Sequence, residues 1–294
     1  MFLFKSNTFW TVHTPAKLNL FFEVYGKRED GFHEIVSVAV PIRLFDTLTF
    51  EPVSGEEIHF TCQGGTLDIP VGEENIVVRA IRLLQKRTGV VRGANIRLFK
   101  RIPSQAGLGG GSSDAAAVFR IARHAWNLNI PDDELIALAA EIGSDCPIFF
   151  HRNASLSVGR GETIRSIGLV PKLHFVLLKP KEGLSTAKVY QQCMPCHDRR
   201  FRYAEELIAE LKKGDLVRIG QHFFNRLEFP VQAIWSSFGQ VMAKLKRLDC
   251  LAVRMSGSGT TFYGLCRNAR HARFVAGQLR QCVTKSDDVL VTSN

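Results

Sequence analysis

The chain has 294 residues, 45% of them hydrophobic and 22% charged, the make-up of a globular protein with one large or two ordinary domains rather than a disordered or fibrous chain. Its 38 Lys+Arg against 28 Asp+Glu give a net charge of +10, which favours an acidic partner: a nucleic acid, a nucleotide, a phosphorylated metabolite or an anionic membrane. No apolar run approaches the ~18–20 residues that span a bilayer, and Met1-Phe-Leu-Phe-Lys-Ser is too short for a signal-peptide core, so a cytoplasmic location is expected.

The seven cysteines are odd in number and scattered, the usage of reduced thiols rather than of a disulfide framework. The basic residues stand in short groups such as Lys100-Arg101 and Arg199-Arg200, which read as solvated faces more readily than as one binding stripe.

Residues 9–24 alternate towards an extended strand, with Trp10, Val12, Leu18, Leu20, Phe22 and Val24 apolar. A turn follows over 26–31, where Lys27-Arg28-Glu29-Asp30 stands between glycines. Residues 35–50 read as further strands, broken near Pro41 and at Phe45-Asp46. Residues 75–86 have a helical period, with Asn75 as N-cap and Gly89 beyond the end. Residues 94–102 form a strand.

That strand feeds the stretch 103–114, Pro-Ser-Gln-Ala-Gly-Leu-Gly-Gly-Gly-Ser-Ser-Asp, in which four of twelve residues are glycine and three are serine. An alanine run (Ala115, Ala116, Ala117) comes next, so a helix opens near Ser112. A glycine-rich loop entering a helix presents free backbone N–H groups and the positive end of the helix dipole, a combination suited to phosphate. It lacks the lysine of a Walker loop and the spacing of the dinucleotide fingerprint. A flexible linker would not run straight into a strong helix.

Helices are expected over 113–127 and 131–142, the second opened by Pro131-Asp132-Asp133-Glu134. Residues 143–150 read as a turn into an apolar strand, and Gly159-Arg160-Gly161-Glu162 as a further turn. The apolar run 173–178 begins a new unit, which places a domain boundary near 165–172 and two domains at 1–165 and 166–294. Helices follow near 186–192, 202–212, 215–225 and 231–247, then strands at 251–255 and 261–266, a helix at 268–282 and a last strand at Val289-Leu-Val. Cys193-Met-Pro-Cys196-His197 matches the spacing of a c-type haem attachment or a redox dithiol, but no export signal or second Cys/His pair accompanies it, and two ordinary loop cysteines explain it better.

Three segments stand out for chemistry: Pro15-Ala-Lys17-Leu-Asn19-Leu, the loop 103–113, and Met255-Ser-Gly-Ser-Gly-Thr-Thr261. In this order and spacing they resemble the signature motifs of the kinase superfamily named for galactokinase, homoserine kinase, mevalonate kinase and phosphomevalonate kinase. Asp30-Gly31-Phe32-His33-Glu34 and Gly143-Ser-Asp145-Cys-Pro147-Ile-Phe resemble one branch of it. That branch uses ATP to phosphorylate the 2-hydroxyl of a cytidine-diphosphate-linked sugar alcohol in the methylerythritol phosphate route to isoprenoids.

The resemblance implies a two-domain α+β architecture. The N-terminal half would be like the second domain of ribosomal protein S5, the C-terminal half would be ferredoxin-like, and the active site would lie in the cleft between them. It implies ATP as cosubstrate with Mg²⁺, whose ligands it leaves open. Pro103, Ser104, Gln105, Ala106, Gly107, Leu108, Gly109, Gly110, Gly111, Ser112 and Ser113 would hold the ATP phosphates, the two serines adding hydroxyl contacts or helping to hold the metal. Asn75 and Lys100 match positions near the nucleotide.

Phosphoryl transfer needs positioning and charge stabilisation more than covalent catalysis. By the resemblance Asp145 is the general base and Lys17 its partner; a cation nearby favours the carboxylate form. On the substrate side the resemblance assigns Asn19 as a hydrogen bonder, Phe32 as the ring that packs on cytosine, His33 as the group that bonds its edge, and Tyr190 as the aromatic on the opposite face. Taken singly, Asp145 is also a turn residue before Pro147, Lys17 a surface lysine, and His33 a turn histidine bonding the backbone. Ser104-Gln105-Ala106 departs from the more glycine-rich loops of relatives, a change that bears on loop mobility. A small-molecule substrate without nucleic acid or membrane is expected, on a monomer or homodimer. Two rivals stand beside this reading: a sister kinase acting on a mevalonate derivative or homoserine, which has no cytosine to grip, and a basic nucleic-acid-binding protein, which explains neither Asp145 nor the third motif.

Overall fold

The computed structural model describes residues 1–294 except Asn7, residues 66–68 and 196–200, and Lys285. These residues pack into two compact units, each assembled from segments distant in sequence. Unit 1 comprises Met1–Ala16, Leu44–Ser104 and Gly109–Arg152; unit 2 comprises Lys17–Arg43, Gln105–Leu108 and Asn153–Asn294.

In unit 1, β1 (Phe2–Lys5) pairs antiparallel with the start of β2 (Trp10–Lys27), from Phe2↔His13 to Lys5↔Trp10. β3 (His33–Gly64) runs on through Pro41 and Phe45-Asp46, where breaks are expected. Two features remove the breaks. Pairing of β3 with its later neighbours covers Ile35 to Ala39 and resumes at Thr47, so the missing N–H of Pro41 interrupts neither ladder. The Asp46 carboxylate accepts the backbone N–H of Arg101 (2.6 Å) and of Ile102 (2.8 Å) instead of closing a turn. At Gly55 (φ 83°) the strand reverses, and both arms meet β4 (Arg92–Lys100), with Thr47↔Phe99 on one side and Gly64↔Lys100 on the other.

The first helix, α1 (Ile76–Thr88), has the expected caps: Asn75 Oδ1 accepts from Val77 N at 2.8 Å, and Gly89 (φ 67°) donates its N–H to Gln85 O. α2 (Gly110–Ala125) starts slightly earlier than the alanine run suggests, and α3 (Asp132–Ile142) carries Asp132, Asp133 and Glu134 in its first turn. Residues 147–150 are not the expected strand. They form a 3₁₀ turn, Pro147–Phe150, because Pro147 lacks the N–H a ladder needs while Phe149 and Phe150 bury against the helices. The core joins Leu48, Phe50 and Ile96 of the strands to Ile81, Phe119 and Leu138 of the helices, and the small alanines of α2 let its neighbours approach.

In unit 2, β5 (Ala154–Gly159) pairs with β3 from Ile35↔Gly159 to Ala39↔Ser155, and turns through residues 159–162 into β6 (Thr163–Gly168). β7 (His174–Lys179) leads to α4 (Thr186–Gln191), α5 (Phe201–Lys213) and α6 (Leu216–Gln221). The helix expected over 215–225 stops at Gln221. Beyond it Phe224–Asn225 forms β8 beside Phe21 and Phe22, because the Asn225 amide is drawn to the carbonyls of Met255 and Gly257, each at 2.8 Å. The helix expected over 231–247 is two, α7 (Glu228–Ile234) and α8 (Phe238–Lys246), separated where Trp235 takes an extended backbone (φ −129°) and packs on Phe262.

β9 (Ala252–Met255), β10 (Phe262–Cys266), α9 (Ala269–Cys282) and β11 (Asp288–Ser293) complete the chain. The four strands β7, β9, β10 and β11 make an antiparallel sheet in the order β11-β7-β10-β9, the ferredoxin-like arrangement that the resemblance implies. Cys193 is half-buried, with its thiol pushed up to about 11 by burial; Cys196 and His197 lie outside the described residues. Among the described residues no helix is long and apolar enough to cross a membrane.

Candidate active site

Parts of all three motifs meet within unit 2. Lys17 and Asn19 are two apart on β2 and so share one face of the strand. Both are buried, Lys17 with 4% and Asn19 with 3% of its surface exposed, and Lys17 Nζ donates to Asn19 Oδ1 at 2.5 Å. The second motif joins them through Leu108 O, which accepts Lys17 N at 2.9 Å. The third motif joins through Ser256: its Oγ accepts Asn19 N (3.3 Å) and donates to Gly107 O (3.0 Å). Thr261 N then bonds Ala106 O at 3.2 Å.

Glycine is required twice here. At Gly107 (φ 71°) a Cβ would stand 1.9 Å from Ser256 O; at Gly257 (φ 54°) it would stand 3.2 Å from Asn19 Oδ1 and 3.4 Å from Lys17 Nζ. Gln105 is also left-handed (φ 49°), so the departure from a glycine-rich loop places a side chain on a conformation that favours glycine. Asn225 and Tyr263 complete the setting, Tyr263 donating to Asn19 O at 2.8 Å.

In unit 1 the rest of the glycine loop opens α2. Pro103 is buried and Ser104 half-buried before it. Gly109 (φ 69°) is the N-cap without a capping side chain, so the first-turn N–H groups of Gly110, Gly111 and Ser112 have no intrahelical partner. Ser112 is half-exposed and hydrogen bonds Cys146, whose thiol burial pushes up to about 12. Ser113 is fully buried, and its hydroxyl has no hydrogen-bond partner among the described residues.

Lys100 has its ammonium inside the fold. It bonds Asp46, and Asp114 Oδ2 at 2.9 Å, while Thr14 Oγ1 donates to Asp114 Oδ1 at 2.7 Å. Burial raises the Asp114 carboxyl to about 7; burial alone would lower the Lys100 ammonium, but the two carboxylates outweigh it and raise it. One lysine faces two buried carboxyls, and the Asp46 charge beside it adds to the burial that raises Asp114. Asn75 serves α1 as its cap and donates Nδ2 to Pro70 O at 2.6 Å. Asp145 is half-buried in unit 1, in the turn between α3 and the 3₁₀ segment, where Cys146 N bonds Gly143 O at 3.0 Å.

The aromatic segment lies in unit 2. The loop before β3 is pinned by Arg28, which bonds Asp30 and Glu34, and by Asp30, which accepts Phe32 N at 3.1 Å. This holds Phe32 outward with 47% of its surface exposed and the Arg160 guanidinium 4.4 Å from its ring centre. The His33 ring is 5.1 Å from that of Tyr190 on α4. Burial, then the Lys27 charge, lowers the His33 imidazole below its ordinary value, so it is neutral near pH 7 and able both to donate and to accept.

Several neighbours of these residues have no local signature. Ser37, Asn225, Asp46 and Asp114 find their partners through long-range pairing; only Asp114, an acid among alanines, carries a hint of a buried role. Arg160 sits in an expected turn but acquires Phe32 only through the β3–β5 register.

Comparisons with known proteins agree with one another. The family model described as GHMP kinases N terminal domain matches residues 75–153, and that described as GHMP kinases C terminal matches residues 207–285. A protein of Pelotomaculum thermopropionicum named 4-diphosphocytidyl-2-C-methyl-D-erythritol kinase is 38% identical over 96% of both chains. A protein of the same name from Shouchella clausii is 35% identical over 92% of this chain and 90% of its own. Among solved structures, a 4-(cytidine 5'-diphospho)-2C-methyl-D-erythritol kinase superposes with a TM-score of 0.78 at 32% identity, covering 97% of this chain and 99% of that one. The mevalonate kinase of L. major, at 16% identity and a TM-score of 0.77 over 99% of this chain and 96% of its own, shares the fold.

Proposed function

This chain belongs to the 4-diphosphocytidyl-2-C-methyl-D-erythritol kinase family of the GHMP kinases, and on that premise we propose that it transfers the γ-phosphoryl group of ATP to the 2-hydroxyl of 4-diphosphocytidyl-2-C-methyl-D-erythritol. It is an ATP-dependent small-molecule kinase with the two-domain fold of that family. The observation that carries the choice of substrate is the exposed Phe32 beside a neutral His33 that faces Tyr190. A flat apolar surface next to a neutral donor–acceptor edge suits a pyrimidine ring. Neither mevalonate nor homoserine offers such a ring.

In this reading the backbone of residues 103–113 receives the ATP phosphates, with the first turn of α2 supplying N–H donors. Asp145 takes the proton of the attacking hydroxyl as the phosphoryl group moves onto its oxygen, and the Lys17 ammonium offsets the charge on the transferred group. Asn19 holds Lys17 through its amide oxygen and keeps one Nδ2 hydrogen for substrate. A bound magnesium ion would supply charge neutralisation for the ATP phosphates. Such an ion would take few protein oxygens beside nucleotide phosphates and water. The half-exposed Ser112 hydroxyl is the oxygen donor suited to it, whereas Ser113 is enclosed. Lys100, tied to two carboxylates, acts on the nucleotide through the placement of α2 rather than by contact.

The test is ADP release with Mg·ATP and, in parallel, 4-diphosphocytidyl-2-C-methyl-D-erythritol, mevalonate, phosphomevalonate and homoserine. Turnover with the cytidine compound alone is expected. Turnover with another acceptor instead would discard the substrate assignment while keeping the kinase.

A further inference from the structure

Resting on the assignment of Lys17 above, the geometry points to Ser37 as a positioning residue for the phosphoryl transfer: it anchors Asn19, and Asn19 holds the Lys17 ammonium in place.

Three buried side chains stand in a row. Lys17 Nζ donates to Asn19 Oδ1 at 2.5 Å, and Asn19 Nδ2 donates to Ser37 Oγ at 2.7 Å. All three residues expose no more than 4% of their surface, so water does not compete for these bonds. The chemistry allows only one orientation of the amide. An ammonium has donors and no acceptor, so the amide oxygen must face Lys17 and the amide nitrogen must face the other way. On that other side Ser37 supplies an acceptor. A residue without one would leave a buried N–H unpaired and the amide free to swing about its terminal torsion.

The backbones of Asn19 and Ser37 are fixed independently. Asn19 is clamped on its N–H by Ser256 and on its carbonyl by Tyr263. Ser37 lies within the β3–β5 ladder, opposite Ser157. The Ser37 hydroxyl is therefore held on a strand fixed in its ladder, and the Asn19 amide links it to the Lys17 ammonium. Ser37 reaches the reaction only through Asn19 and Lys17.

Four measurements test this, each using the full chain with Mg·ATP and 4-diphosphocytidyl-2-C-methyl-D-erythritol. Ser37→Ala is expected to lower kcat about tenfold, as the loss of one buried hydrogen bond would, while KM for either substrate stays within about twofold. Ser37→Thr keeps the hydroxyl and is expected to restore kcat, which a loss of packing alone would not predict. In an Asn19→Ala background the Ser37→Ala change is expected to cost nothing further, since the link is already cut. Lys17→Met separates the two levels of the argument: wild-type turnover in that variant overturns both the Lys17 assignment and this inference. Impaired Lys17→Met beside an unimpaired Ser37→Ala, a Ser37→Thr no better than Ser37→Ala, or fully additive losses with Asn19→Ala would overturn the role of Ser37 alone. A thermal melt of each variant accompanies the kinetics; a Ser37→Ala protein that loses activity only in proportion to unfolded material also counts against it.

Discussion

At the scale of single residues, the proposed chemistry rests on charge and hydrogen-bond capacity. Asp145→Asn keeps the size of the side chain and removes the proton acceptor. Turnover in ADP release is expected to fall by about 10²-fold or more, the usual contribution of a general base, with KM for both substrates near normal; unchanged turnover would remove Asp145 as base. His33→Ala removes the ring beside Tyr190 and is expected to raise KM for the cytidine substrate by about tenfold or more while leaving KM for ATP unchanged. Equal losses for both substrates would contradict its role. The candidate roles of Asp145 and His33 come from the sequence, where both stand in short motifs whose residue types match the proposed chemistry. That of Ser37 does not: a serine in a strand is unremarkable until the fold brings the Asn19 amide to 2.7 Å from it.

At the scale of elements, one substitution has opposite signs in two places. Gly107→Ala puts a Cβ against Ser256 O in a left-handed backbone, and is expected to lower the melting temperature and raise KM for ATP. Gly277 sits exposed in the middle of α9, and a Cβ added there would meet no atom within 4 Å. Gly277→Ala is therefore expected to stabilise by about 0.5–1 kcal/mol in denaturant unfolding. The start of α2 carries the pH response. The folded Asp114 carboxyl keeps its proton up to about pH 7, whereas the unfolded chain releases it near the ordinary 3.8. Between these values the folded state binds more protons, so this group makes stability fall as pH rises from about 4 to 7 and has no further effect above. The Lys100 ammonium, also raised in the fold, has the same sign in a different window: its contribution is complete below its ordinary value and is lost only in strong alkali. Melting temperature followed from about pH 4 to 8 is therefore expected to fall more steeply for the wild type than for Asp114→Asn; parallel curves would refute the buried-proton account. Helix caps such as Asn75 and Gly89 were readable in advance because capping is decided within four residues. The breaks expected in β3 and the strand expected at 147–150 failed because partners far along the chain, Arg101 and Ile102 for Asp46 and the helical core for Phe149, outweighed local preference.

At the scale of the whole molecule, the net charge of +10 has a kinetic consequence. ATP and a cytidine diphosphate ester are both anions, and a positive protein draws them in over distances that salt screens, ~10 Å at 0.1 M. kcat/KM for both substrates is expected to fall as sodium chloride rises from about 0.05 to 0.5 M, with kcat nearly unchanged. A salt-independent kcat/KM would show that the charge plays no part in capture.

The order of residues alone establishes the three glycine- and lysine-bearing motifs, the helix caps, the turn positions and, through the motifs, the kinase family. Each of these depends on residue types within a few positions of one another. Which side chains share a proton or a charge is settled only in the folded chain. Ser256 reaches Asn19 across 237 residues, Lys100 reaches Asp46 across 54, and Ser37 reaches Asn19 between neighbouring strands. Such pairings follow from packing and strand register, which the whole chain sets together and no local pattern contains.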